Sequence, residues 1–416
     1  MNYKRVIKSI IFLFTILTIC SSVKVAAKGS VKYIDSNKPI KLTQSFEKKK
    51  DGTQEKDVVI SNLFDIKVKC YGKGGDYEDN KGNTFKYMSV KKLGFKTLQG
   101  SAVSGGFMYI AFTDKGKKNK YQSKRDLTLI AKIDLTNKTV CPLSEFHGID
   151  KLDLYGLGHA NDFTVTTGSD KIELLNSAWY LHHKGSKKKD KIYDNRIGIY
   201  NSKTRYSYGG NNIVNTGLKG LKYIFGISPY KDKRMALGTV VVRNDKKSMF
   251  MMSYKFKGET SYEKGKRLFV INKKCNVKKM NYNVAQCMDY NSGKFYIVKF
   301  NEPKLEEKKE VKGSKKQKAK IQKENKKIEK RNKAKEEKYR KKHNNVVEIY
   351  KKNKKKKYVR SKIVVVKDPK IGNKNWKKDK WEVECFKYRK DDGRFYYTQY
   401  HPVKKQKIAY LFSCKK

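Results

Sequence analysis

The chain has 416 residues, with 99 Lys+Arg against 40 Asp+Glu and a formal net charge of +59. Its 28 Tyr and 19 Phe exclude a chain disordered throughout, because disordered segments lack the aromatic and β-branched residues that fill a core. No apolar run beyond the N-terminus reaches the ~18 residues of a membrane helix, which excludes a transmembrane helical bundle. Only 12 of the basic residues are Arg. Base-reading and phosphate-clamping sites favour the planar Arg fork. A lysine-dominated charge therefore points to diffuse attraction to a polyanion, or to a solvated surface, and away from specific nucleic-acid recognition.

Residues 1–27 read as a secretory signal. Lys4, Arg5 and Lys8 form a positive start, residues 10–20 an apolar stretch too short to span a membrane, and Val25, Ala26 and Ala27 a small-residue cleavage site. Residues 28–56 read as a flexible leader. Cleavage leaves six cysteines, Cys70, Cys141, Cys275, Cys287, Cys385 and Cys414, an even number compatible with disulfides in an exported protein. No pair has C-x-x-C spacing, and the histidines form no H-x-x-x-H, so the reading includes no metal site and no cofactor.

From residue 99 onward one pattern recurs five times: a short strand opening on a polar or small residue, a turn, an aromatic-rich strand, a variable loop and a third strand. The strands fall at 99–103, 107–112 and 127–133; at 161–165, 172–180 and 196–200; at 226–230, 235–242 and 267–271; at 286–290, 295–300 and 346–350; and at 384–388, 395–400 and 408–412. The opening residues Gln99, Asn161, Gly226, Gln286 and Glu384 lie 62, 65, 60 and 98 residues apart, and the last gap contains a 39-residue insert at 304–342. Five near-equal units of short strands predict an all-β fold, a five-bladed β-propeller over residues 57–416. Its last blade lacks an outer strand, which residues 57–70 or 84–93 are expected to supply, with Cys70–Cys414 as a candidate staple. A β-sandwich or two small β-domains is the alternative.

The insert carries 19 basic and 7 acidic residues. Residues 315–342 read as a solvated helix with Glu–Lys and Glu–Arg pairs four apart, too polar for a core stripe. It is either a tolerated surface insertion or a basic arm for anionic polymers or membrane headgroups.

In a propeller the first strand of each blade lines the central channel. Gln99, His159, Asn161, Asp162, Gln286 and Glu384 are then the candidate ligand-binding residues at its mouth. The bland reading is that they bond the backbone of neighbouring blades. Glycoside cleavage needs an acid and a second carboxylate at a set separation. Asp162 and Glu384 are the only carboxylates at or beside the opening positions, so no full catalytic constellation is present.

The stretch Leu98-Gln-Gly100, followed by Gly158-His-Ala-Asn-Asp162 in an exported five-unit β chain, resembles the helveticin-J-like family of secreted propeller proteins. The resemblance covers roughly residues 95–414 and marks Gln99, His159 and Asn161 as channel-lining. That family contains large bacteriocins of Gram-positive bacteria as well as proteins of unassigned role, so the resemblance implies a secreted propeller with a bacteriocin-like role; the chain is separately expected to be a monomer. The basic insert and a weak third unit depart from the family pattern, and a propeller fold alone does not fix function. Three readings follow: a binder of anionic cell-wall polymer, glycan or membrane surface; a glycan hydrolase or lyase using Asp162 and Glu384; and a non-catalytic structural or interaction module.

Overall fold

A computed structural model describes residues 32–114, 127–141, 162–168, 171–178, 196–200, 213–215, 221–229, 235–242, 249–256, 269–277, 285–300, 306–307, 309–311, 313–340, 345–355, 358–371, 381–401 and 407–416. The signal segment 1–27, His159 and Asn161 lie outside the described residues. The protein is mostly β with one helix among the described residues.

The chain begins with β1 (Lys32–Ile34), β2 (Leu42–Gln44) and β3 (Val58–Ile60), then a 3-10 turn at Leu63–Asp65. Next, β4 (Lys67–Tyr71), β5 (Tyr77–Glu78) and β6 (Thr84–Ser89) form a small sheet in the order β4-β6-β5. Residues 57–70 and 84–93 therefore add no strand to the sheet of the last unit: Lys67–Cys70 and Thr84–Ser89 pair in this separate sheet, and β3 pairs with β2.

The five repeats then follow in order, each an antiparallel meander. The first is β7 (Thr97–Ser104), β8 (Phe107–Asp114), β9 (Leu127–Asp134) and β10 (Thr139–Cys141). The second is β11 (Phe163–Gly168), β12 (Lys171–Ala178), β13 (Arg196–Tyr200) and β14 (Ile213–Asn215). The third is β15 (Leu221–Pro229), β16 (Met235–Val242), β17 (Met249–Phe256) and β18 (Phe269–Val277). Here the sequence reading is corrected. The third strand is the Met-rich β17, and of the expected third strand at 267–271 the described residues 269–271 belong to the fourth strand, β18. The fourth unit is β19 (Ala285–Asn291), β20 (Lys294–Phe300), the helix α1 (Lys315–Arg340), β21 (Asn345–Lys352) and β22 (Tyr358–Val366). The fifth is β23 (Glu382–Arg389), β24 (Arg394–His401) and β25 (Ile408–Lys415). Tight reversals carry positive-φ residues where the hairpins need them, as at Gly105–Gly106 and Ser292–Gly293. The opening strands touch in a cycle: β7 meets β11, β11 meets β15, β15 meets β19, β19 meets β23, and β23 returns to β7.

The expected leader is ordered from residue 32 and ties three units together. β1 extends the fourth-unit sheet, parallel to β22 with Tyr33 opposite Val365. Ser36 is fully buried, 3.0 Å from the Tyr397 hydroxyl, and accepts from Gln399 Nε2. Ile40 N–H donates to Leu411 O at 2.7 Å, and β2 then pairs parallel with β10 in the first-unit sheet. Asn62 completes the cover of β25, donating to Lys407 O at 3.1 Å and accepting from Ala409 N at 3.0 Å. These bonds satisfy edge groups of the last strand that would otherwise invite pairing with another chain. Cys70 and Cys414 are both thiols, so the expected staple is absent and the closure is made by hydrogen bonds.

The helix starts where its sequence dictates. Gly313 has φ +106°, and Ser314 and Gln317 cap reciprocally: Ser314 N donates to Gln317 Oε1 at 2.8 Å and Gln317 N to Ser314 Oγ at 3.4 Å.

Candidate functional site: the opening strands

The opening residues of the repeat coincide with breaks in the ladders. The pairing of β7 with β8 slips between Leu98 and Ser101, across Gln99 and Gly100. The β19–β20 pairing slips across Gln286, and the β23–β24 pairing across Glu384. In β15 there are two slips, across Lys222 and across Phe225, the second one residue before Gly226. A bulge leaves one residue outside the ladder and re-aims its side chain, so the polar residue at each unit's start marks a shared backbone device. Gln99 and Glu384 are buried and Gln286 is half-buried. In the second unit the opening Asn161 lies outside the described residues, and its neighbour Asp162 stands immediately before β11.

Asp162 carries the most connected of these positions. It is fully buried, and its Oδ1 lies 2.7 Å from Lys387 Nζ, itself buried on β23. Oδ1 also accepts from Phe163 N at 3.0 Å, and Oδ2 accepts from Met288 N on β19 at 3.0 Å. Lys387 donates to Met288 O at 2.7 Å, and Asp289 Oδ2 accepts from Tyr388 N at 2.6 Å. One carboxylate thus links the second, fourth and fifth units. Burial pushes the Lys387 ammonium down, but the Asp162 and Asp289 charges hold it above its ordinary value. A buried pair is tolerated only when both ions are paired and hydrogen-bonded in this way. The Cys287 thiol is pushed well up, first by burial and then by Asp162, which makes it an unreactive core thiol.

Sequence reasoning singles out Asp162 but neither Lys387 nor Asp289. Both lie at the same step of the repeat, in Cys287-Met-Asp-Tyr290 and Cys385-Phe-Lys-Tyr388. A charged residue at one aligned position of two otherwise apolar strands was the available signal. Glu384 is within electrostatic reach of Tyr400, whose hydroxyl donates to Lys96 O at 2.8 Å; burial, then Glu384 and Glu382, push that phenol up.

A second buried ionic group joins the outer strands of the fourth unit. Glu348 lies 2.9 Å from Lys299 Nζ and 2.6 Å from Arg360 Nη1, and accepts from Tyr350 OH at 2.7 Å. Among the described residues, no three His, Cys, Asp or Glu side chains gather as a metal would require.

The helix α1 is the other candidate surface. It carries 13 basic and 4 acidic residues, and of its described side chains only Ile328 is buried. Glu306 and Lys309 are bonded to its side chains. Asn332 grips the Glu306 backbone, accepting from its N–H at 2.8 Å and donating to its carbonyl at 2.9 Å. Asn325 grips Lys309 identically, both bonds 2.8 Å. Asparagines seven residues apart stand about 10.5 Å apart along the helix, so the two grips hold the preceding segment at two separate points. Glu306 sits between Arg331 at 2.6 Å and Lys335 at 2.7 Å, and those bonds hold its carboxyl down at about 2.

No family model matches the chain, and no curated protein matches it. Among solved structures it is similar to a glycosyl hydrolase from Bacteroides ovatus, at 10% identity over 86% of this chain and 90% of that one, with a TM-score of 0.35. It is similar to a GH43 β-xylosidase/α-arabinofuranosidase from a compost microbial metagenome, at 10% identity over 77% and 91%, with a TM-score of 0.34. It is also similar to the β-propeller domain of the Trilobed protease from Pyrococcus furiosus, at 10% identity over 77% and 86%, with a TM-score of 0.26. Overlap of that extent leaves the chemistry to be read from the chain's own residues.

Proposed function

We propose that the chain is an exported five-bladed β-propeller that binds anionic polymers of a cell surface or cell wall. The cyclic contact of the five opening strands and the strap of residues 32–44 across the fourth, fifth and first units support the ring. The observation that carries the binding reading is α1. It is a strongly cationic helix whose described lysines are mostly exposed, and the two asparagine grips fix it to the segment that precedes it, so those lysines are presented from an ordered element. Pre-ordering lowers the entropy cost of binding a charged polymer. The helveticin-J-like, wall-directed role belongs to this reading. Its test is deletion of residues 304–342. Binding to polyglycerolphosphate should weaken by about tenfold or more, since each exposed lysine contributes only modestly and a row of them acts together. Undiminished binding would assign the surface elsewhere.

A second reading is a glycan hydrolase, the activity named for several of the overlaid structures. What favours it in this chain is that three carboxylates, Asp162, Asp289 and Glu384, are buried on or beside the opening strands. Glu384→Gln should then abolish glycan cleavage while leaving the fold intact, and cleavage that survives the substitution rules that role out.

A further inference from the structure

A cleft of about 330 Å³ opens between the fifth-unit sheet, the strap and the β9–β10 turn. That places it at the small end of ligand pockets, which run about 300–1,000 Å³. Its walls follow from strand periodicity. Arg394 and Tyr396 stand two apart on β24, and the register sets Ser413 opposite Tyr396 and Lys415 opposite Arg394. One face therefore presents cation, ring and hydroxyl together. Buried Leu42 and Leu135 supply an apolar floor, and Lys138, in the left-handed region at φ +57°, stands on the opposite rim.

The two arginines beside this cleft differ in one respect. Arg389 is paired with Asp391 and Asp392 and donates to Thr136 Oγ1 at 2.6 Å. The half-buried Arg394 guanidinium donates from Nε and Nη2 to one neutral acceptor, Ser413 Oγ, at 3.2 and 3.0 Å, and makes no ion pair among the described residues. The nearby carboxylates are already engaged. Asp392 accepts from Tyr396 OH and Arg394 N. Asp134, which itself lines the cleft, is held by the backbone N–H groups of Thr136 and Asn137 and by the Asn137 amide, so its charge is turned to its own turn. A partly desolvated guanidinium without a counter-ion favours an incoming anion, and its planar fork fits carboxylate and phosphate.

We infer that this cleft binds a single acidic polyol unit, with Arg394 and Lys138 on its phosphate or carboxylate and Tyr396, Leu42 and Leu135 against its carbon skeleton. The inference rests on the anionic-polymer reading and names the unit recognised. It is tested by calorimetric titration of residues 28–416 with sn-glycerol 3-phosphate and with glucuronate, using glycerol and glucose as neutral controls. Saturable binding of at least one anion and of neither control is expected, and which anion binds separates a phosphate polymer from a uronic-acid polymer. Arg394→Gln, and separately Lys138→Asn, which tolerates the left-handed backbone, should each weaken it by about tenfold, as loss of a charge-assisted contact does. Deletion of residues 304–342 should leave it unchanged. Equal binding of the controls, or both variants binding as the native chain does, overturns the assignment. If the native chain binds polyglycerolphosphate but neither small anion, the cleft assignment falls and the polymer reading stands. If it binds none of the three, both fall.

Discussion

Lys387→Met isolates the link between the second, fourth and fifth units. The substitution keeps the stem volume and removes the ammonium that neutralises Asp162 at 2.7 Å. The carboxylate keeps its bonds from Phe163 N and Met288 N, while Met288 O loses the Lys387 donor. Asp162 has no exposed surface, so water cannot replace the lost cation. Leaving one member of a buried pair uncompensated costs about 3–5 kcal/mol, against a total stability of about 5–15 kcal/mol for a folded domain. Removing both charges in Asp162→Asn/Lys387→Met should cost less than the two single losses added together, because neither variant side chain then faces an orphan ion. Urea denaturation followed by near-ultraviolet circular dichroism reads all three variants. The pH dependence has a fixed sign. Lys387 is held above its ordinary value of 10.5, so its stabilisation is complete below that pH and is lost only as pH rises through the raised value. A Lys387→Met cost below about 1 kcal/mol, within the range of ordinary substitutions, or strict additivity in the cycle, would refute the reasoning.

Four further outcomes follow from the structure. A chain beginning at residue 45 loses β1, the Ser36 contacts and β2, and should unfold at clearly lower urea than one beginning at residue 28; a shift within the ~0.5 kcal/mol of a neutral change would mean that the strap is only a tail. Asn332→Ala removes two bonds of about 1 kcal/mol each, so amide exchange at Glu306 should accelerate while that in β21 stays slow; unchanged exchange at Glu306 contradicts the grip. The Glu306 carboxyl should titrate at about 2 rather than at the ordinary 4.5, as read by carbon-13 chemical shifts. The contact with Arg331 and Lys335 is then complete above pH 4.5 and lost as pH falls through about 2, and a midpoint near 4.5 would show the contact to be absent. Cys287 and Cys385 are buried thiols, the second pushed up to about 11 by burial, so they should react with thiol reagents only on unfolding; rapid labelling of the native protein contradicts their placement.

The repeat was legible because its signal is local. Alternation and aromatic content in runs such as Phe107–Asp114 and Arg394–His401 write the strands directly into the sequence. The opening residues were legible as positions but not as bulges, since a bulge is a relation between two strands. The strap was not legible. Residues 32–44 are polar and interrupted by Pro39, and their order comes from backbone bonds to strands more than 300 residues away in sequence, such as Ile40 to Leu411. β17 was hidden for a different reason: Met249–Phe256 is a nearly continuous apolar run, which lacks the alternation of a half-exposed strand. Lys387 was hidden by composition, because one buried lysine does not stand out among the 99 Lys+Arg of a chain that reads as solvated surface.

The most direct test of the account is the salt dependence of binding between residues 28–416 and polyglycerolphosphate, with and without residues 304–342. At 0.1 M salt, charges more than about 10 Å apart are largely screened. The account predicts that affinity falls steeply as salt rises, and that removing the helical arm lowers both the affinity and the steepness. Binding that does not respond to salt, or that keeps the same slope without the arm, would contradict it.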